Sequence, residues 1–452
     1  MKGVEVGGQW CEEPCTVRVE AKKLFEKRFK ATRDFGVRLD GVQFKALSSE
    51  ENLTLISTFR EEEIKEAVWL CDGSKSPGPD GFNFKFIKES WAYIKDELIK
   101  ALAFFHVSGT IPKGCNPSFI ALVPKVKEPS KLEEYRPISL VGAIYKIISK
   151  VLAGKIKKVF SVIDERQFAF LKGRGMLDSV VMANEVVEDL RRSRRRGLCL
   201  KVDFEKAYDS VRWEFLYDML HKLGFHNKWI MWMRGCLESA TISVLVNGSP
   251  TEEFKPTRGL RQGDPLAPFL FLVVAEGLAG LVRQANMINM LSGVKFGREK
   301  IELSILQFAD DTLFLCEESH SNVVTMKAIL RSFELASGLK INFHKSKIAG
   351  VNVESKYLGV EVGGNPRKTK FWEPVLTKLK ARLSVWKGRF LSLAGRICLI
   401  KSVISAVPLF YLSIFKAPNS IYQSIIRIQR GVSVGVGEGK ETDLMGQLGR
   451  RM

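Results

Sequence analysis

The chain has 452 residues, enough for two or three substructures around a sizeable core. Hydrophobic residues make up 45% and charged residues 27%, which is ordinary for a soluble globular protein and excludes a disordered or fibrous chain. The 70 Lys and Arg outnumber the 50 Asp and Glu, for a formal net charge of +20 at pH 7. This surplus indicates a polyanionic partner, most simply nucleic acid, although a generally basic protein or a membrane-surface binder would also show it.

Three further classes are disfavoured by the sequence. The eight cysteines are scattered without a Cys-x-x-Cys pair and there are five His, so a structural zinc site is not expected. The first residues lack the apolar segment of a signal peptide, so we expect a protein of the nucleus or cytoplasm. The most apolar run, residues 266–275, is too short to cross a bilayer, so we expect a buried helix there and no membrane partner.

In chain order, the spacing of apolar residues predicts a mixture of helices and strands. Helices are predicted over residues 19–33, 61–71, 82–106, 136–160, 178–192, 211–222, 228–238, 265–286 and 320–337, with a basic helical region at 371–430. Strands are predicted over residues 118–129, 198–202, 241–246, 252–257, 339–351 and 356–362, together with a hairpin around residues 308–311. Helices and strands alternate without strict β-α-β repetition, which predicts an α+β fold.

The hairpin carries two adjacent carboxylates, Asp310 and Asp311, in the motif "FADD". Taken alone, such a pair is either an ordinary solvated turn or a site for a cation. Asp203 follows the apolar strand "LCLKV", where it could equally cap a helix. If the two strands are neighbours, the three carboxylates form one cluster with no Lys or Arg partner in the motifs themselves. Such a cluster would need divalent cations, and paired Mg²⁺ ions are typical of phosphoryl transfer.

The acidic motifs occur among other segments in a recognisable order. These are "SPGPDGF", "YRPISLVGAIYKIISKVLA", "QFAFLKGRGMLDSV", "KVDFEKAYDSV", "RGLRQGDPLAPFLF", "FADD", "SGLKINFHKSK", "YLGV" and "RFLSLAGRICLIKSV". Together they resemble a reverse transcriptase, and more narrowly the polymerase of plant-type non-LTR (long interspersed element, LINE) retrotransposons. The resemblance covers residues 70–430 approximately. It implies a right-hand polymerase fold of fingers, a palm with an antiparallel sheet, and a helical thumb.

The resemblance also implies a domain plan and an activity. We expect a connector over residues 1–60, a helical extension of the fingers over 61–106, fingers and palm over 107–363, a thumb-like region over 364–430 and an irregular or truncated tail over 431–452. The activity would be RNA-directed DNA polymerisation, in which the 3′-hydroxyl of a DNA primer attacks a dNTP on an RNA template.

The family implies the following metal ligands. Asp203 and Asp310 would hold both catalytic Mg²⁺ ions, with Asp311 in support and the backbone carbonyl of Phe204 as a further ligand. Mn²⁺ could substitute for Mg²⁺.

For the nucleotide site, the family implies that Tyr208 lies under the sugar and rejects a ribose 2′-hydroxyl. The alternative is that its ring only packs in the core at a helix start. Gln262 and Gly263 would form the floor of the site, because Gly allows close backbone approach, although the same residues would also build an ordinary turn.

Basic residues complete the implied site. Arg136, with Lys125 near it, would contact the triphosphate or the template, and Lys345 would lie near the nucleotide. Solvated surface charge is the alternative for Arg136. The thumb, at residues 378–396, would grip the duplex, and "RRSRRR" at 191–196 would bind template, direct nuclear import or remain a solvated run.

Two departures from the family keep other functions open. The endonuclease that usually precedes the polymerase in the family has no counterpart here, and whether it is supplied elsewhere stays open. The segment between Val353 and Tyr357 is shorter than in the family, so the chain could be a decayed, inactive remnant that only binds RNA. An RNA-dependent RNA polymerase shares the acidic palm, but Tyr208 and "RQGDPLAP" argue against it.

Overall fold

The computed structural model describes residues 3–6, 9–31, 36–342, 345–351, 355–357, 360–362, 369–384 and 417–434. The helices are α1 (Pro14–Phe29), α2 (Ser49–Ile56), α3 (Glu61–Trp69), α4 (Phe84–Glu89), α5 (Trp91–Ser108), α6 (Ala143–Ile156), α7 (Met176–Arg192), α8 (Ala207–Ser210), α9 (Trp213–Lys222), α10 (Asn227–Glu238), α11 (Ala267–Met287), α12 (His320–Ser337), α13 (Thr369–Ser384) and α14 (Asn419–Val434). Short 3-10 turns cover Leu132–Glu134 and Lys157–Val162.

The strands are mostly short. They are β1 (Val4–Val6), β2 (Gln9–Cys11), β3 (Pro117–Pro124), β4 (Tyr135–Val141), β5 (Gly197–Val202), β6 (Phe204–Glu205), β7 (Thr241–Val246), β8 (Ser249–Pro250), β9 (Val294–Phe296), β10 (Ile301–Leu303), β11 (Ile305–Phe308), β12 (Asp311–Glu317), β13 (Lys340–Ile341), β14 (Lys347–Gly350), β15 (Ser355–Tyr357) and β16 (Val360–Val362). The predicted mixture of α and β structure is confirmed.

Two four-stranded sheets organise the larger part of the described chain. The first has the order β11-β12-β5-β14 and is antiparallel throughout. The second has the order β4-β3-β7-β8, in which β3 and β7 run parallel and the other pairs are antiparallel. The predicted neighbourhood of the strand at 198–202 and the acidic hairpin is confirmed, because β5 pairs directly with β12.

The core beside these sheets is dominated by α11. Fifteen of its 21 residues are buried, as its apolar sequence predicts. The helix has 21 residues, so the argument that this segment is too short to span a membrane was wrong. Within the described part of the chain, α11 is long and apolar enough for a membrane span, and 78% of its most apolar stretch is buried inside the protein.

The predicted helix at 136–160 is partly wrong. Residues Tyr135–Val141 form β4, whose alternating burial has the period of two that a strand requires, and the helix begins only after Gly142. Lys155 is not on an outer face, since it is 3% exposed and its Nζ donates to the hydroxyl of Ser57 at 2.7 Å. The apolar run that suggested one long helix therefore belongs to a strand, a shorter helix and the 3-10 turn at Lys157–Val162.

Other boundaries also differ from the prediction. The strand expected at 252–257 is reduced to a bridge between Phe254 and Ile242, and residues 339–351 contain two short strands that belong to different sheets. Helix α2 was not predicted; its capping box joins Ser48 and Glu51. Of the helical region at 371–430, the structure describes α13 and α14.

The contacts divide the chain into two compact units. The larger comprises Met1–Ser179 and Arg196–Gly350 and contains both four-stranded sheets. The smaller comprises Val180–Arg195 and Val351–Met452; in it α13 packs on α14, with Trp372 and Ile425 buried. The site described below lies within the larger unit.

Candidate active site

The three predicted carboxylates meet at one end of the β11-β12-β5-β14 sheet. Asp203 follows the last residue of β5, and Asp311 is the first residue of β12. Because Val202 pairs with Thr312, the backbones of Asp203 and Asp311 are adjacent across the ladder. Asp310 lies in the two-residue turn between β11 and β12. The sheet register therefore brings together the residues that the sequence analysis grouped.

The charges at this end of the sheet interact. Although Asp310 is exposed at the turn, the surrounding protein removes part of its hydration and raises its pKa, and the charges of Asp311 and Asp203 raise it further. The expectation that the cluster has no basic partner was wrong. Lys201, inside the motif itself, places Nζ 3.1 Å from Oδ1 of Asp311. One of the three negative charges is therefore already compensated from β5.

The donor set fits a divalent cation. Carboxylate oxygens are ligands that Mg²⁺ prefers, and the repulsion at Asp310 is what a cation would relieve. Among the described residues no three Asp, Glu, His or Cys side chains enclose a common point, so these side chains would have to converge on an ion. Phe204 lies in β6, paired with Ile341, and its ring packs 6.1 Å from that of Phe333. A carbonyl ligand from Phe204 stays a prediction.

The acidic turn, formed by Ala309 and Asp310, is held in place by the buried side chain of Gln167. Ala309, which precedes Asp310, has a φ of 53°, a conformation that non-glycine residues rarely adopt. Its amide donates to Oε1 of Gln167 at 3.0 Å, and the amide of Ala169 donates to the same oxygen at 3.1 Å. Gln167 is 1% exposed. The sequence analysis included this residue in the segment "QFAFLKGRGMLDSV" but assigned it no role.

Tyr208 lies in α8, five residues after Asp203. Its ring stacks on Phe271 of α11, with centroids 4.7 Å apart. Burial raises the pKa of the Tyr208 hydroxyl, and the nearby charge of Asp310 raises it further. The ring is thus packed against the core while the hydroxyl is near the acidic turn. The structure therefore shows that the Tyr208 ring packs in the core. Its role in excluding a ribose 2′-hydroxyl stays a prediction.

The predicted floor of the nucleotide site is anchored to the second sheet. The amide of Ser139 in β4 donates to the carbonyl oxygen of Gln262 at 2.7 Å. Gly263 has a φ of 106°, and a Cβ there would lie 3.0 Å from the carbonyl oxygen of Ser139. The left-handed backbone alone therefore requires glycine at this position, before any ligand is considered.

A buried ion pair supports this loop from inside. Arg261 donates to Oδ2 of Asp264 at 3.1 Å and to Oδ1 of Asn116 at 2.6 Å. The hydroxyl of Tyr145 donates to Asp264 at 2.5 Å, and the Arg261 guanidinium lies 4.0 Å from the Tyr145 ring centroid. These supporting residues were not predicted from the sequence. Their signal in the sequence is a pair of opposite charges, Arg261 and Asp264, just before the most apolar run of the chain.

The three basic residues predicted for the nucleotide site share one neighbourhood. Partial burial lowers the pKa of Lys125, and the positive charges of Arg28, Lys345 and Arg136 lower it further. Arg136 stands on β4 opposite Val123, at the end of β3 that leads to Lys125. Arg28, from α1, was not predicted to belong here.

Lys345 is tied to the acidic site through Asn342. Its amide donates to Oδ1 of Asn342 at 3.2 Å, and the amide of Asn342 donates to the carbonyl oxygen of Asp203 at 2.8 Å. The turn that carries Lys345 is therefore attached to the end of β5.

A comparison with known protein families shows to which family the chain belongs. Residues 123–362, more than half of the chain, match the family described as reverse transcriptase (RNA-dependent DNA polymerase). The chain belongs to the reverse transcriptase family. The matched residues include the three carboxylates, Tyr208 and the Gln262–Gly263 loop. The antiparallel sheet with acidic residues at one end lies in the part of the chain that was predicted to form the palm.

Its relatives include proteins of non-LTR elements. The chain is 26% identical over 93% of its length to the "Transposon TX1 uncharacterized 149 kDa protein" of Xenopus laevis, of which it spans 33%. It is 26% identical over 63% of its length to the Pol polyprotein of the retrotransposable element R2DM of Drosophila melanogaster, of which it spans 26%. The reverse transcriptase described here therefore spans a third or less of these relatives.

Two further similarities are weaker. The chain is 24% identical over 77% of its length to the "RNA-directed DNA polymerase from mobile element jockey" of Drosophila melanogaster, of which it spans 38%. Among solved structures, a telomerase from Candida tropicalis in complex with a telomeric RNA fragment aligns with a TM-score of 0.40 at 11% identity, over 78% of this chain and 62% of that one.

Part of the predicted reverse transcriptase lies outside the described residues. This applies to residues 385–396 of the predicted thumb grip and to Phe343 and His344 beside Lys345. Of the arginine run at 191–196, Arg192 pairs with Glu188 at 3.2 Å and Arg195 with Asp189 at 2.6 Å, both within the smaller unit. These two arginines are therefore partly neutralised by acidic residues of α7.

Proposed function

We propose that this chain is the RNA-directed DNA polymerase of a non-LTR retrotransposon, of the plant type that its motif set resembles. The observation that carries the proposal is the meeting of Asp203, Asp310 and Asp311 at one end of an antiparallel sheet. Tyr208 and the Gln262 loop belong to the same unit, as a nucleotide site beside these carboxylates requires. Membership of the reverse transcriptase family supports the reaction class.

In this proposal the substrates are an RNA template, a DNA primer and a dNTP. Two Mg²⁺ ions, or Mn²⁺ in their place, would supply neutralisation of the charge that builds up during in-line phosphoryl transfer. Asp203 and Asp310 would hold them, with Asp311 in support once Lys201 releases it. Arg136 and Lys125 would orient the triphosphate, and Tyr208 would exclude a ribose 2′-hydroxyl.

The remaining expectations belong to the same proposal. Residues 107–363 would form fingers and palm, residues 61–106 would extend the fingers and residues 364–430 would form the thumb. An endonuclease would come from another polypeptide or from a part of a longer protein. The site of action would be intracellular, in the nucleus or cytoplasm.

The direct test is extension of a DNA primer on an RNA template, with and without Mg²⁺. The wild-type chain should extend the primer only with the metal. Asp310→Asn should lose extension by a factor of about 1,000 or more while binding RNA normally, because the carboxylate acts only in metal-dependent chemistry. Asp96→Asn, a matched change on the exposed side of α5, should extend like the wild type.

Two results would contradict the proposal. A soluble wild-type protein that binds RNA but never extends a primer would be an RNA-binding remnant. Equal loss of RNA binding and of extension in Asp310→Asn would show that this residue serves the fold or the RNA surface instead of the chemistry.

A further inference from the structure

The N-terminal helix α1 packs inside the larger of the two units. The sequence analysis treated residues 1–60 as a connector, but α1 packs against β7 and α8. The carbonyl oxygen of Phe29, at the end of α1, accepts hydrogen bonds from the amides of Thr257 and Arg258 at 2.9 and 3.1 Å. The side chain of Arg258 in turn donates to the carbonyl oxygen of Arg28 at 2.9 Å. The end of α1 is therefore fixed to the segment that leads into the Gln262 loop.

Arg28 is buried at this junction. It is 6% exposed, and its Nη1 lies 3.6 Å from Oδ2 of Asp209, which is 5% exposed. The guanidinium lies 4.4 Å from the ring centroid of Phe25. Its Nε and Nη2 are buried and have no hydrogen-bond partner. A guanidinium in this position stays charged, and Asp209 is the carboxylate beside it that compensates the charge.

Asp209 follows Tyr208 directly in α8. Burial raises its pKa to about 6, and the nearby charge of Arg28 is the largest effect that opposes this rise, ahead of Lys206 and Lys125. Without Arg28, the buried carboxylate would keep only the weaker compensation of Lys206, Lys125 and Arg258. Arg28 is thus the principal partner of a buried charge next to the predicted sugar gate.

The end of α1, helix α8 and the segment at 259–260 are closely packed against one another. The amide of Leu260 donates to the carbonyl oxygen of Tyr208 at 2.7 Å. A Cβ on Gly259 would lie 2.6 Å from the carbonyl oxygen of Asp209 and 2.8 Å from Cδ1 of Phe29. A shift of α1 would therefore displace α8, the Gln262 loop, or both.

We infer that Arg28 is a positioning residue of the nucleotide site, which acts through Asp209 to fix Tyr208 and the segment at 257–263. The N-terminal helix is then part of the site that selects the incoming nucleotide, and not a passive connector. A direct contact of Arg28 with a phosphate is disfavoured, because its guanidinium nitrogens that lack partners are buried. The consequence for nucleotide selection rests on the proposed function; the structural linkage does not.

The linkage is tested by hydrogen–deuterium exchange on the whole chain. Arg28→Met should accelerate exchange of residues 207–211 and 258–262 about tenfold, because local opening becomes easier when Asp209 loses its partner. Arg28→Lys, which keeps the charge, and the double variant Arg28→Met with Asp209→Asn, which removes both charges, should restore most of the protection. Lys22→Met is the matched control, since Lys22 is on the same helix but pairs with Glu252 at the surface.

The inference is overturned if Arg28→Met leaves exchange unchanged, if Lys22→Met accelerates it equally, or if the double variant does not reverse the change. Should Arg28→Met fail to fold, a double variant that folds with wild-type protection supports the inference, and one that also fails to fold overturns it. Arg28→Lys is then compared directly with the wild type.

Primer extension supplies the functional arm. In an active wild type, Arg28→Met should raise the KM for dNTP about tenfold and lower the preference for dNTP over rNTP, with a smaller change in kcat. A purely structural role would lower the active fraction without changing that preference. A wild type that extends no primer contradicts the proposed function alone, because the exchange result still decides the role of Arg28.

Discussion

The amide of Ala309 donates to the side-chain oxygen of Gln167 at 3.0 Å, and this bond joins the acidic turn to a loop 142 positions earlier in the chain. Ala309 has a left-handed backbone that alanine adopts only when its surroundings hold it. The neighbouring Asp310 is therefore placed by a residue that is uncharged and buried.

Replacing Gln167 by Met should misplace Asp310 without removing any carboxylate. The variant leaves the amides of Ala309 and Ala169 without an acceptor, so the free energy of unfolding should fall by about 2 kcal/mol. Primer extension should fall roughly tenfold to a hundredfold. Gln43→Met, at an exposed position, is the control for both measurements. Unchanged extension in a folded Gln167→Met protein would contradict the assigned role.

Mg²⁺ should stabilise the fold through the same turn. A ligand that binds the folded state raises the melting temperature by mass action. Loss of hydration raises the pKa of Asp310 most, the charges of Asp311 and Asp203 raise it further, and a bound cation would relieve that repulsion. Thermal melting over a Mg²⁺ titration should show this rise for the wild type and lose it in Asp310→Asn. Lys201→Met frees Asp311 and should shift the titration to lower Mg²⁺ concentration. An equal rise in Asp310→Asn would place the ion elsewhere.

The two interpretations of Tyr208 make opposite predictions. Tyr208→Phe keeps the ring on Phe271, whereas Tyr208→Val removes it. If the ring excludes a ribose 2′-hydroxyl, the valine variant should incorporate rNTP at least about tenfold better relative to dNTP, and the phenylalanine variant should keep the wild-type ratio. Competitive incorporation of dNTP and rNTP measures this ratio. A valine variant that is less stable yet equally selective would leave core packing as the whole role.

The Arg261–Asp264 pair should be much more important to stability than a surface pair. Asp264→Asn removes one partner of a buried charge, which costs about 3 to 5 kcal/mol. Glu188→Gln breaks the exposed pair with Arg192 and should cost less than about 0.5 kcal/mol. Urea unfolding of both variants provides the comparison. Similar costs would mean that the buried pair is compensated by other groups.

The acidic end of the β11-β12-β5-β14 sheet was predictable from the sequence because the information is local. Each carboxylate follows or precedes an apolar strand, so the strand pattern in the sequence already places each carboxylate at a strand end. The same locality explains the error at residues 135–141. Pro137, Ile138 and Leu140 have apolar spacing that a helix shares with a strand, and only pairing with β3 decides between the two.

Residues that act over long sequence distances were not predictable. Arg28 and Gln167 acquire their roles from Asp209 and Ala309, which are more than a hundred positions away. Lys201 was visible in the motif, but the strand register decides that its side chain reaches Asp311. Local patterns define which elements form; the pairing of distant charges and amides requires the assembled fold.

The order of strands in the β11-β12-β5-β14 sheet also affects how the chain folds during its synthesis. Strand β5 is central, yet Thr312 follows its partner Val202 by 110 positions, and Gly350 follows its partner Leu198 by 152. At about 5 to 20 residues per second, a ribosome leaves both edges of β5 unpaired for several seconds or longer. Nascent chains therefore pass through a stage that already contains Asp203 but exposes open strand edges, which favours aggregation. Synthesis at low temperature or with chaperones should consequently raise the yield of folded protein.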